Sequence, residues 1–143
     1  MKNNYLISIV GSQIIDSEEN QISMSTLGSY YKKGDNIYIF YKEHDSNISK
    51  KPITSVLKVE GNNKATLIKY GKQQSRLILE ENCRHICNYD TGFGALMIGV
   101  FTNKINSNLD DSGGSLSIKY SLDINSTLTS INKIHINIRE NKT

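Results

Sequence analysis

Apolar and polar residues alternate with a period of two along much of the chain, and the segment LSIKYSLDI shows this most clearly. Every second residue of that segment is apolar or aromatic, namely Leu116, Ile118, Tyr120, Leu122 and Ile124. The segment KIHINIRE repeats the pattern with Ile134, Ile136 and Ile138. This period is typical of antiparallel strands with one buried face. We therefore predict two successive strands, joined through NSTLTS, that face one core.

Eight further runs rich in β-branched and aromatic residues predict additional strands, and turn residues separate many of them. The runs lie at 5–10, 21–32, 37–43, 53–60, 65–70, 76–80, 85–90 and 93–102. The connections KKGDN, EGNNK, YGKQQ and DDSGGS supply glycine, asparagine and aspartate, which suit tight hairpins. No ten-residue segment has an apolar stripe at helical spacing, so residues 103–109 are the only candidate for one short helix.

These elements predict an all-β protein that forms a single domain over residues 1–143. Strands in meander order, without the crossover helices that parallel sheets need, favour one antiparallel sheet. Closure of that sheet would pair its edges. We therefore predict a single up-and-down β-barrel of about eight to ten strands, with at most one short helix.

The segment TGFGALMIGVFT is apolar on both faces of its predicted strand. One face would carry Phe93, Ala95, Met97, Gly99 and Phe101, and the other Leu96, Ile98 and Val100. A face exposed to water normally carries polar residues, so we expect both sides of this strand to be covered, by the barrel interior on one side and by another segment or a second subunit on the other. Its glycines are expected to allow a bend or a bulge.

The amino-acid composition of the chain limits the classes of partner that we expect. The 143 residues carry a net charge of +3, and only three of the 17 basic residues are arginines. Dedicated nucleic-acid binding usually shows as a concentrated, arginine-rich basic patch, so we expect no nucleic-acid partner. The sequence has no apolar run of the length that a signal peptide or a membrane span requires, so we expect a cytoplasmic protein without a membrane partner.

Motifs for catalysis or metal binding are weak in this sequence. Cys83, His85 and Cys87 would share one face of a strand, but the two cysteines would lie about 13 Å apart, too far for one zinc ion or a disulfide. We therefore expect wall cysteines and no metal or cofactor. His44 lies among acidic residues in a polar loop, and no serine lies in a nucleophile elbow. An enzyme with a polar site assembled across strands is the least favoured hypothesis.

Tyrosine offers the remaining candidate chemistry, because Tyr30, Tyr41 and Tyr120 fall in phase with the inward faces of their strands. An inward tyrosine is a large apolar wall with one hydroxyl that needs a partner, which suits either core packing or a small pocket. We therefore take Tyr30, Tyr41, Tyr120 and Thr91 as candidate ligand-binding residues, with core packing as the alternative.

Several elements together resemble a known family, the YwiB-like domain-of-unknown-function proteins, which are small cytoplasmic barrels of low-GC Gram-positive bacteria. The matching residues run from Tyr5 to Glu140 and include Gly28-x-Tyr30-Tyr31, Tyr38-x-x-Tyr41-x-Glu43, Tyr70-Gly71, Tyr89-x-Thr91-x-Phe93-Gly94, the Gly113-Gly114 turn and Ile118-x-Tyr120-x-Leu122. The resemblance implies a barrel similar to the calycins, which include the lipocalins. Where the family often has an arginine this chain has Lys69, and where it often has a proline this chain has Gly92.

The resemblance implies a fold and leaves the activity open, so two functional hypotheses follow from the residues and the fold together. The first is non-enzymatic binding of a small apolar or mixed ligand inside the barrel. The alternative is an interaction protein that forms a homodimer, or binds a partner, through the apolar strand 93–102.

Overall fold

The computed structural model describes residues 4–43, 53–71, 74–90 and 94–141. Within these ranges every element is a strand or a turn. The strands are β1 (Tyr5–Ile15), β2 (Glu18–Lys33), β3 (Asn36–Glu43), β4 (Ile53–Glu60), β5 (Lys64–Tyr70), β6 (Ser75–Glu80), β7 (Arg84–Asp90), β8 (Ala95–Asp110), β9 (Gly113–Ile124) and β10 (Thr127–Glu140). The described part of the chain contains no helix long and apolar enough to cross a membrane.

The ten strands form a closed antiparallel barrel in sequence order, and β1 pairs with β10 to complete it. The predicted all-β meander barrel is therefore confirmed. The predicted short helix at 103–109 is wrong, because these residues continue β8 and pair with β9 from Lys104 to Asp110. A polar Asn- and Ser-rich sequence shows no strand alternation by itself, but the neighbouring strand imposes the extended backbone.

The hydrophobic core consists of residues that the two-residue alternation predicted to face inward. Ile7, Ile39, Val59, Val100 and Leu116 are almost completely buried on the inward faces of five different strands. On β9 and β10 the apolar sets that the sequence indicated lie on the buried or half-buried side, and their neighbours face outward. Because successive strand residues point to opposite faces, one apolar face per strand is enough to fill the interior.

Two hairpin turns differ from the sequence-based expectation. The β9–β10 turn consists of Asn125 and Ser126 with positive φ, so the strands take in most of the NSTLTS segment. The β8–β9 turn is made by Asp111 and Ser112, and Gly113 already begins β9. Asp110 closes this turn by accepting bonds from the backbone N–H and the hydroxyl of Ser112.

Gly99, in the apolar segment TGFGALMIGVFT, lies on the outer face of β8 directly beneath an ion pair. The Arg84 guanidinium on β7 crosses over β8 and makes two bonds, of 2.9 and 2.6 Å, to the Asp123 carboxylate on β9. It passes directly over Gly99, where a Cβ would collide with both side chains. Gly99 therefore makes room for this ion pair, and the bulge of β8 lies further along, between Thr102 and Lys104.

The covering expected over both faces of this strand is only partly present. Ile98 and Val100 are buried in the interior, whereas Met97 on the outer face is 63% exposed and Ile86 beside it on β7 is 51% exposed. The described chain therefore leaves this part of the outer face open to solvent.

Candidate functional site

A cavity of about 200 Å³ lies inside the barrel and extends toward the end where β3 finishes at Glu43. We call this the Glu43 end, and the opposite end, where Tyr5 begins β1, the Tyr30 end. Most of the cavity wall is aliphatic. The lining residues are Ile9, Gly11, Ile22, Met24, Tyr41, Glu43, Leu57, Leu67, Lys69, Leu79, Ile118, Ile134 and Ile136.

The two charged residues among the described lining residues form an ion pair. The Lys69 Nζ on β5 lies 3.3 Å from the Glu43 Oε2 on β3, across the intervening strand β4. Their side chains are 35% and 23% exposed, so the pair is half-buried at the rim. Each residue continues the inward phase of its strand, Glu43 two positions after Tyr41 and Lys69 two after Leu67. Among the described residues, the cavity is therefore apolar inside and polar, but without net charge, at its rim.

Tyr41 supplies the phenol of the cavity wall and is 6% exposed. Burial, and next the nearby Glu43 carboxylate, raise the pKa of its hydroxyl far above the usual tyrosine value, and a contribution from Tyr120 acts in the same direction. The Ser55 hydroxyl opposes this rise. The Tyr41 hydroxyl therefore remains protonated at neutral pH, as a donor and not as a base.

Ser55 and Thr102 carry buried hydroxyl oxygens without a well-aligned hydrogen-bond partner among the described residues. Ser55 is the cross-strand neighbour of Tyr41, and Thr102 is the cross-strand neighbour of Tyr120. Ser55 also acts on the Tyr41 hydroxyl as a hydrogen-bonding side chain, so Thr102 is the clearer case of a buried hydroxyl without a partner among the described residues. Buried hydroxyls without partners are costly, so this part of the barrel interior, outside the residues that line the cavity, has unused capacity for hydrogen bonds.

The Tyr30 end is filled by side chains. The rings of Tyr5 and Tyr30 lie 5.3 Å apart, and the Tyr30 hydroxyl donates a 2.5 Å hydrogen bond to the backbone carbonyl of Asp110. Gly28 lets the chain pass close to its neighbours, because a Cβ there would collide with the Phe40 carbonyl. Burial, and then the nearby Asp110 carboxylate, raise the pKa of Tyr30 to about 12. Tyr30 thus acts in packing at this end.

The structure separates the four candidate ligand-binding residues. Tyr41 lines the cavity, and Tyr120 is buried near it without belonging to its lining. Tyr30 lies at the other end of the barrel, and Thr91 lies outside the described residues. Sequence reasoning did not select Glu43 and Lys69 as a pair, although a charged residue at the end of an inward apolar alternation is a usable signal.

The cysteine and histidine motif is not assembled into a site. Cys83 is exposed before β7, whereas Cys87 is buried and accepts a hydrogen bond from the Ile78 backbone N–H. His85 Nε2 lies 2.8 Å from Glu80 Oε1. Among the described residues, no group of three or more His, Cys, Asp or Glu side chains is arranged to hold a metal ion.

Comparison with known proteins supports the fold. The "Uncharacterized beta-barrel protein YwiB" of Bacillus subtilis (strain 168) is 28% identical over 128 residues, which cover 87% of this chain and 86% of that protein. The crystal structure of ywiB protein from Bacillus subtilis matches with a TM-score of 0.84 at 20% identity, over 98% of this chain and 93% of that one. At this identity the structural likeness shows the fold. Residues 7–136 match a family pattern, which confirms the resemblance seen in the sequence: the chain belongs to the family described as Domain of unknown function (DUF1934).

Proposed function

We propose that this protein is a non-enzymatic cytoplasmic barrel that binds a small amphipathic molecule in the cavity at the Glu43 end. The observation that supports the proposal is the combination of an aliphatic cavity of about 200 Å³ with the Glu43–Lys69 ion pair, which holds the two charged side chains among its described lining residues. Ligand sites are typically apolar concavities with a few placed polar groups. The cavity phenol, Tyr41, is held protonated and suits orientation of a ligand better than proton abstraction.

The size of the cavity limits the ligand. An apolar protein cavity of about 150 Å³ is enough for benzene. A cavity of about 200 Å³ therefore suits a molecule of about eight to ten non-hydrogen atoms. Its apolar body would contact Leu57, Leu67 and Leu79, and its polar head would lie near Glu43 and Lys69.

The Glu43–Lys69 ion pair favours a ligand whose polar head carries no net charge. A lone carboxylate would attract Lys69 but would be repelled by Glu43, and a lone ammonium would meet the reverse situation. An uncharged hydroxyl or a zwitterion can contact both residues without breaking their attraction. The ligand class is therefore an apolar body with an uncharged or zwitterionic head.

Three probes with the same number of carbon atoms and different head groups test this selectivity. Isothermal titration calorimetry of the full chain should show 1-octanol binding more tightly than octanoate or octylamine. Glu43→Gln should shift the preference toward octanoate, and Lys69→Met toward octylamine, because each leaves one unpaired rim charge. Equal affinities in all three proteins would refute the role of the ion pair, and absence of binding by every probe would refute the cavity as a ligand site.

Gly11→Leu is a cavity-filling variant with a matched control. Gly11 lines the cavity, and a Cβ at this position meets only the Lys133 carbonyl at ordinary contact distance. The added side chain should occupy the space without removing a core contact, so 1-octanol binding should be lost while the melting temperature is kept. Val10→Leu, one residue away and exposed, should bind as before. Unchanged 1-octanol affinity in Gly11→Leu would contradict the assigned location.

Tyr41→Phe separates ligand binding from core packing. Native mass spectrometry of freshly purified protein would detect a retained small molecule. Loss of that molecule, or of 1-octanol affinity, at an unchanged melting temperature would support a binding role for Tyr41. A lower melting temperature with full ligand affinity would instead assign Tyr41 to the core.

A second candidate function rests on the exposed apolar residues Ile86 and Met97. We infer that, if the protein dimerises, this outer part of β7 and β8 is the contact, because exposed apolar neighbours are typical of interfaces. Light scattering coupled to gel filtration should then report a dimer for the unaltered chain and a monomer for Met97→Lys. A dimer that persists in Met97→Lys would exclude this surface.

A further inference from the structure

Three lysines lie in one row across the outer wall of the barrel, outside the cavity. Lys104 on β8 pairs in register with Lys119 on β9, and Lys119 pairs in register with Lys133 on β10. All three side chains are exposed. Adjacent strands are about 4.8 Å apart, so the outer two backbone positions are only about 10 Å apart. Like charges in such direct cross-strand positions repel each other.

A β-bulge is responsible for the position of Lys104. Thr102 points inward, and strict alternation would also point residue 104 inward. The register shift between Thr102 and Lys104 adds one residue, after which Ile105 is buried and Lys104 faces solvent beside Lys119. Bulges often redirect a side chain in this way. The like-charge row therefore depends on a specific irregularity of β8.

None of these three lysines belongs to an ion pair between described residues, and the Glu81 carboxylate next to Lys104 accepts a hydrogen bond from the backbone N–H of Ile105. The five ion pairs between described residues involve Lys32, Lys58, Lys69, Arg84 and His85. The next row toward the Tyr30 end consists of Asn106, Ser117 and His135 in register. Ser117 Oγ and His135 Nδ1 lie 2.6 Å apart. The row is therefore a set of three like charges without an ion-pair partner among the described residues, and it lies beside side chains that can form hydrogen bonds.

The same side chains line one depression of about 370 Å³ on the wall. Its lining includes the three lysines together with Asn106, Ser117 and His135. Lysine ammonium groups and hydroxyl or amide donors are the protein groups that hold phosphate oxygens. We propose that this depression is a binding site for a compact polyanion, specifically a triphosphate group, carried either by inorganic tripolyphosphate or by a nucleotide.

The compact shape of the positive charge favours a small polyanion over a nucleic acid strand. Beyond Asn106, Ser117 and His135, the following row in register consists of Asn108, Ser115 and Asn137, which are uncharged. On the opposite side, the carboxylate of Asp123 is already bound by Arg84. A strand of nucleic acid needs a basic track along its backbone, whereas one triphosphate matches three ammonium groups in one place.

Isothermal titration calorimetry at constant ionic strength tests the site. Sodium tripolyphosphate should bind the full chain and raise its melting temperature, and Lys119→Gln should weaken binding about tenfold, because one of three charge-assisted contacts is lost. Lys42→Gln, which removes an exposed lysine on β3, is the matched control and should leave the affinity unchanged. Lys133→Gln serves as a second variant should Lys119→Gln fold poorly.

The sign of the stability change gives an independent readout. Without any polyanion, Lys119→Gln should melt at a higher temperature than the unaltered protein, because it removes two in-register repulsions. Comparison with ATP distinguishes the sources: equal affinities identify the phosphates alone as the ligand, and tighter ATP binding identifies a nucleotide. The proposal fails if tripolyphosphate does not bind, or if Lys42→Gln weakens binding as much as Lys119→Gln does. It also fails if adenosine binds as tightly as ATP, or if single-stranded RNA binds with an affinity that grows with its length.

Discussion

Replacing Tyr30 by phenylalanine perturbs one hydrogen bond at the filled end of the barrel. The Tyr30 hydroxyl donates to the backbone carbonyl of Asp110, which lies 80 residues further along the chain, and the side chain is 6% exposed. Tyr30→Phe keeps the ring and its contact with Tyr5 but leaves this carbonyl without its donor. Loss of such a bond costs about 1–3 kcal/mol in the free energy of unfolding at neutral pH.

The same residue predicts a pH dependence with a defined sign. Its pKa is raised from 10.0 to about 12 in the folded protein. The folded-state pKa lies above the unfolded value, so the contribution of Tyr30 is fully present below pH 10 and is lost as the pH rises toward 12. The rise corresponds to at most about 3 kcal/mol, reduced by solvent screening at the barrel end. The stability advantage of the unaltered protein over Tyr30→Phe should therefore shrink across this window.

Urea unfolding of both proteins at a series of pH values between 7 and 12 measures this difference. Groups that do not contact Tyr30 are present in both proteins and cancel in the comparison, so Tyr5 is the titratable neighbour that can add to the difference. Tyr70→Phe is the matched control, because Tyr70 is 48% exposed, and its stability difference from the unaltered protein should stay near zero. A Tyr30→Phe difference that is constant from pH 7 to 12 would refute the reasoning.

Three further substitutions test how the barrel is built, each by urea unfolding at neutral pH. Gly99→Ala should lower the free energy of unfolding by at most about 1 kcal/mol, because the new methyl group displaces the exposed Arg84–Asp123 ion pair but not the backbone; a larger loss would show that the pair cannot move aside. Leu116→Ala should cost about 2–5 kcal/mol at a position that is 1% exposed, and a smaller cost would mean that the core refills the space. Ser17→Gly should add up to about 1 kcal/mol, since Asp16 and Ser17 both have positive φ in the β1–β2 turn; a decrease would contradict that backbone conformation.

The sequence by itself determined the strands and the inward face of most of them. Alternation at Leu116–Ile118–Tyr120 and at Ile134–Ile136–Ile138 needed no tertiary information, because successive side chains of any extended backbone point to opposite sides. The same rule placed Tyr41 inward, and it would have placed Glu43 and Lys69 inward if applied to the ends of β3 and β5.

Only the tertiary structure decided which residues meet across the barrel. Tyr30 and Tyr41 both point inward, yet Tyr30 fills one end of the barrel and Tyr41 lines the cavity at the other. The reason is that the position of a residue along the barrel axis depends on the register of neighbouring strands. The bulge before Lys104 reversed the alternation and brought Lys104, in a segment for which the sequence allowed at most one short helix, into the lysine row. Register and bulges arise from pairing between strands distant in sequence, and local residue patterns do not encode them.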